Sequence, residues 1–74
     1  MAKKGGAAVY RVTEVIGTSS NSWEDAARNA VKMAAGTLRD LRIAEVTKLD
    51  VRIDDKGKIS QFRARLALSF KYDG

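Results

Sequence analysis

From Ile59 to Tyr72 the side chains alternate with a period of two. Phe62, Ala64, Leu66, Leu68, Phe70 and Tyr72 fall in one set, and Gln61, Arg63, Arg65, Ala67, Ser69 and Lys71 in the other. Successive side chains of a strand point to opposite sides of a sheet, so this pattern predicts one long strand with an apolar and a polar face. At about 3.3 Å per residue such a strand reaches roughly 45 Å. Its apolar face needs a cover of similar length, and that requirement limits what the remaining residues can build.

Upstream, Leu49, Val51 and Ile53 alternate with Lys48, Asp50 and Arg52, which predicts a second strand from about Arg42 to Asp54. Asp54-Asp55-Lys56-Gly57-Lys58 supplies acidic turn formers and a glycine, the chemistry of a hairpin connection. Between Val9 and Ile16 the β-branched and aromatic residues Val9, Tyr10, Val12, Thr13, Val15 and Ile16 predict a first strand that stops at Gly17. Ser22 followed by Glu24 and Asp25 marks a helix start at Trp23. Ala26, Ala27, Ala30, Val31, Ala34, Ala35, Leu38 and Leu41 recur every three or four residues and form its apolar stripe. A helix from Trp23 to Asp40 is only about 27 Å long. It cannot cover the hairpin, and an apolar sheet with open edges pairs with further copies of itself. A homo-oligomer of closed symmetry is the expectation.

Size points the same way. Seventy-four residues make one domain with a thin core, and the chain has no Cys and no His to supply a disulfide or the common metal staples. Met1 to Ala7, with Lys3-Lys4-Gly5-Gly6, reads as a flexible basic tail ahead of a single domain over residues 8–74. No signal-like or membrane-length apolar run is present, which makes a cytoplasmic protein the expectation. The net charge of +5 favours anionic partners. Its scattered distribution favours a solvated or anion-attracting surface over nucleic-acid recognition. Without Cys, His or a Gly-rich phosphate loop after a strand, the sequence reads as a non-enzyme.

The order strand, helix, strand, strand, together with Val9-Tyr10-Arg11-Val12, Ile16-Gly17-Thr18-Ser19, Thr37-Leu38-Arg39-Asp40-Leu41 and the Phe70-Lys71-Tyr72 ending, resembles the dodecin family over Val9 to Tyr72. The resemblance implies an α+β fold in which a three-stranded antiparallel sheet partly wraps one helix, and a hollow dodecamer that stores or buffers a small ligand. The family ligand is flavin, riboflavin or FMN, stacked on a tryptophan and held at its polar edge by a glutamine. Ile43 stands at the tryptophan position and Arg63 at the glutamine position, with Arg65 close by. Isoleucine lacks the aromatic face that contributes about 1–3 kcal/mol per stacked ring at comparable sites, and arginine cannot accept a hydrogen bond.

Gly17-Thr18-Ser19, Ser22-Trp23-Glu24 and Gly57-Lys58-Ile59 are more similar to the calcium-binding branch of the family. Calcium takes about six to eight oxygen ligands, and Glu14, Glu24, Asp50, Asp54 and Asp55 are the candidates. Simpler roles compete with these. Asp54-Asp55-Lys56-Gly57 reads as an ordinary turn, Asp50 and Glu14 as ion-pair partners of Lys48, Arg52 or Arg11, and Trp23 as a plug in a subunit contact. Arg52, Arg63 and Arg65 form a possible phosphate patch or a set of inter-subunit ion pairs. The functions to weigh are therefore a flavin-type ligand store, a store for calcium or another cation, and a basic oligomer binding anions or nucleic acid.

Overall fold

The computed structural model describes residues 9–37 and 39–71. The elements run β1 (Tyr10–Ser19), α1 (Trp23–Thr37), β2 (Leu41–Ile53) and β3 (Ile59–Lys71). The sheet order is β1-β3-β2, with β3 antiparallel to both neighbours. β1 and β2 are thus parallel to each other with β3 inserted between them, a split β-α-β arrangement. The expected tail and Tyr72 lie outside the described residues.

The strand with the cleanest alternation is the central one. Ala64, Leu66, Leu68 and Phe70 of β3 are buried under α1, which contributes Ala26, Ala30 and Ala34 at four-residue spacing. Val15, Ala27, Val31 and Leu41 close the margins of this core. Leu66 and Leu68, fully buried, contribute on the order of 2 kcal/mol each. Alanine on the helix adds little area but lets the backbones approach closely. Gly17, buried in β1 opposite Ala64, faces Ala26 and Ala30 directly: a Cβ on it would sit 2.1 Å from the Ala26 carbonyl oxygen and 2.7 Å from the Ala30 Cβ.

That close approach corrects the first expected boundary. Gly17 does not end β1; the strand continues through Thr18 and Ser19, because the missing side chain serves helix packing and not a turn. The chain then reverses at Ser19, whose hydroxyl donates to Asp25 Oδ2 (2.7 Å) and accepts the Asn21 N–H (2.9 Å). Ser22 caps the helix by accepting the Asp25 N–H at 3.0 Å.

The helix is also shorter than the periodicity suggests. It ends at Thr37, and Asp40 adopts φ of +59°, a left-handed conformation that no helix propagates. Leu41, expected on the helical stripe, instead opens β2 opposite Phe70, while Ala35 is exposed and Leu38 lies outside the described residues. At about 1.5 Å per residue α1 spans roughly 22 Å, against roughly 43 Å for β3 at about 3.3 Å per residue. The radius of gyration, 15.9 Å, exceeds the roughly 11 Å of a compact chain of this length. The excess is the unsupported hairpin.

Three register shifts in β2 decide which of its residues face the helix. They fall between Leu41 and Ile43, Val46 and Lys48, and Arg52 and Ile53. Ala44, Val46, Leu49 and Val51 pair with the helix-side residues Leu68, Leu66, Ala64 and Phe62. Even so, Val46 and Leu49 remain 47% and 50% exposed, since α1 lies over β1 and β3. At the hairpin end Ile53 and Ile59 pair with each other and are exposed as well. Asp54 shapes the turn: its Oδ1 accepts the N–H groups of Lys56 and Lys58, both at 2.9 Å, and Gly57 takes φ of +78°.

The Gly17 contact yields a direct test. Gly17→Ala forces α1 away from β1, and overpacking of this kind costs about 1–3 kcal/mol. Urea denaturation followed by far-ultraviolet circular dichroism is expected to show a midpoint shifted down by that amount, whereas Gly36→Ala, with open space around it, leaves the midpoint the same or raises it.

Candidate functional site

The side of the sheet away from α1 collects most of the chemistry-bearing residues. Register places them in rows across the three strands. Val12, Ser69 and Ile43 form one row, followed by Glu14, Ala67 and Glu45, then Ile16, Arg65 and Lys48, then Thr18, Arg63 and Asp50. Gln61 and Arg52 extend the set toward the hairpin. Ile43, Arg63, Arg65, Glu14 and Asp50, singled out from the sequence, therefore share one face.

They do not form a single site within the chain. Ile43 is opposite Ser69, six positions along β3 from Arg63, a separation of roughly 20 Å at about 3.3 Å per residue. Arg63 and Asp50, directly opposite each other, are joined by a 2.8 Å bond from Nε to Oδ1. This replaces the expected partners of Asp50, Lys48 and Arg52. As a half-exposed pair it contributes under about 1 kcal/mol to stability, but it fixes the direction of the guanidinium. Arg11, the other expected partner for Glu14, lies on the helix side with its guanidinium 5.8 Å from the centre of the Phe70 ring.

The Asp50 backbone is held from the other side of the sheet. Trp23 Nε1 donates to the Asp50 carbonyl at 3.0 Å, and the indole meets Phe62 edge-on with ring centres 5.1 Å apart. Trp23 thereby ties the start of α1 to both strands of the hairpin. Its ring is nevertheless 39% exposed.

The remaining metal candidates are dispersed. Glu24 is exposed in the first turn of α1, Asp54 is engaged with the turn amides, and Asp55 is exposed beside it. Among the described residues no three of His, Cys, Asp and Glu are grouped to hold a metal ion. Glu45 was not among the candidates. Register sets it with Glu14 on either side of the small Ala67. The sequence does carry a trace of this: the apolar phase of β2 breaks between Ala44/Val46 and Leu49/Val51, a sign of an inserted residue at Thr47.

The fold and this face define a class of protein: a helix half-covered by a split sheet, with a long hairpin whose apolar side and polar side both remain accessible. The dodecin family model matches residues 9–73, and the chain belongs to the dodecin family. It is 46% identical over 63 residues to the calcium dodecin of Mycobacterium tuberculosis, covering 85% of this chain and 87% of that one. Among solved structures, a dodecin from Streptomyces coelicolor superposes with a TM-score of 0.84 at 40% identity, covering 93% of this chain and 97% of the other. The crystal structure of the M. tuberculosis calcium dodecin, described as a calcium-chelating antigen with a novel calcium-binding site, gives 0.77 at 45% identity over 86% and 90% of the two chains. The α+β fold expected from the sequence is the fold observed. Among the described residues no helix is long and apolar enough to cross a membrane.

Replacing the indole tests the tie at the site's edge. Trp23→Phe keeps an aromatic ring against Phe62 but leaves the Asp50 carbonyl without its donor, so a loss of about 1 kcal/mol is expected in chemical denaturation. Amide hydrogen exchange is expected to quicken around Asp50 before it does in the β1–β3 ladder.

Proposed function

We propose that the chain is the subunit of a homododecameric shell that binds and stores a small ligand, a divalent cation such as calcium in preference to flavin. The observation that carries the assembly is the uncovered apolar side of the hairpin. Val46 and Leu49 on that side, and the Ile53–Ile59 pair at the hairpin end, are each about half exposed and lie beyond the reach of α1. Burial of such residues against sister copies is worth about 25 cal/mol for every Å² removed from water.

Two observations support the cation. The relative that is 46% identical is a calcium dodecin. The positions matching the family's flavin site carry Ile43, which has no aromatic face, and Arg63, already committed to Asp50. Among the described residues of one chain no three carboxylates are grouped to hold calcium, so ligands pooled from several copies fit better than one chain's loop. Glu14 and Glu45, exposed on the helix-free face, and Glu24, exposed on the helix, are the carboxylates available for such a shared site, whereas Asp50 is engaged by Arg63. Asp54 is better assigned to its turn. Arg65 belongs to the basic row of the same face rather than to a ring-binding pocket.

Light scattering of the purified protein is expected to give the mass of a dodecamer, and Leu49→Asp to collapse it to small species. A stable single chain at micromolar concentration overturns the proposal. Calcium is expected to raise the melting temperature of the shell, while added riboflavin keeps its fluorescence. The double variant Ile43→Trp, Arg63→Gln is expected to quench riboflavin; quenching by the unaltered protein removes the case for the cation.

A further inference from the structure

Lys48 and Arg65 stand directly opposite each other on the helix-free face. The pairing is made by the bulge at Thr47. Register passes from Val46 opposite Leu66 to Lys48 opposite Arg65, so β2 carries one residue more than β3 at this point. Without that extra residue the alternation would set Thr47 opposite Arg65 and carry Lys48 to the helix side. Bulges re-aim side chains in this way. Thr47 also ties the bulge down, its Oγ1 donating to the Arg65 carbonyl at 3.2 Å.

Like charges opposed across an antiparallel pair repel and destabilise it. Among the described residues neither Lys48 nor Arg65 makes an ion pair, whereas Arg63 in the next row is answered by Asp50. On its β1 side Arg65 borders a shallow groove shared with Glu14, Val15 and Ile16. Glu14 and Glu45 flank the neighbouring row at Ala67, and Asp50 in the row beyond is already answered by Arg63, so the place for a counter-charge lies directly over the Lys48–Arg65 pair.

We infer that Lys48 and Arg65 form a binding site for a phosphate-bearing anion, a phosphate monoester or diphosphate. The planar guanidinium suits two oxygens of a phosphoryl group, and the ammonium supplies a third donor as a point charge. Both groups belong to one chain, so the site does not depend on the shell or on its cation.

The test titrates inorganic phosphate and inorganic pyrophosphate into the full chain by calorimetry, with light scattering on the same samples. Binding that weakens with salt is expected. Lys48→Gln and Arg65→Gln are each expected to lower affinity about tenfold or more, Arg65→Lys less, and Arg39→Gln, which removes a charge elsewhere, under about twofold. A preference for pyrophosphate assigns the diphosphate, and equal affinities assign the monoester. Absence of binding, or equal loss in all variants, overturns the site. Loss of the assembly in Lys48→Gln or Arg65→Gln also overturns it, by assigning the pair to a subunit contact.

Discussion

The close seating of α1 on β1 and β3 governs the rest of this molecule. Gly17 admits the Ala26 carbonyl and the Ala30 side chain to a distance that no other residue allows. Because alanines line the contact, the helix sits low on the sheet but reaches only a short way along it. Leu66, Leu68 and Phe70 are buried by this arrangement, while Val46, Leu49, Ile53 and Ile59 are left in water. A thicker helix face would bury more surface per residue, yet could not sit so near the strand. The chain thus obtains a dense local core and leaves the far part of its hairpin uncovered.

The second organising feature is the irregular pairing of β2. A regular strand would fix its two faces from end to end, but each register shift exchanges them. The result is a β2 whose helix side keeps a full apolar row, Ala44, Val46, Leu49 and Val51, despite the phase change, and whose other side presents Ile43, Glu45, Lys48, Asp50 and Arg52. Charges are thereby sorted into rows. Glu14 and Glu45 flank Ala67, Lys48 meets Arg65, and Asp50 meets Arg63. Trp23 links this face to the core, since the residue whose carbonyl it holds also carries the carboxylate that orients Arg63.

Membership of the dodecin family and the open sheet faces are the ground on which the proposed binding role rests. The chemistry available is that of carboxylates and basic side chains on a flat surface. Carboxylates suit hard cations, and arginine and lysine suit phosphate oxyanions.

The sequence alone established the element types and their order, the hairpin turn at Asp54-Gly57 and the mismatch between helix and hairpin. Each of these is written in local terms, in the period of two along β3, the alanine spacing of α1 and the side-chain chemistry of the turn. Tertiary structure decided the continuation of β1 through Gly17, the early end of α1 at Thr37, the pairing of Asp50 with Arg63, and the meeting of Lys48 with Arg65. Those depend on contacts between residues far apart in the chain: how near a helix comes to a strand, and where one strand holds an extra residue against another. Periodicity reports which side of its own element a residue occupies, but register alone determines which residue of the neighbouring strand it faces.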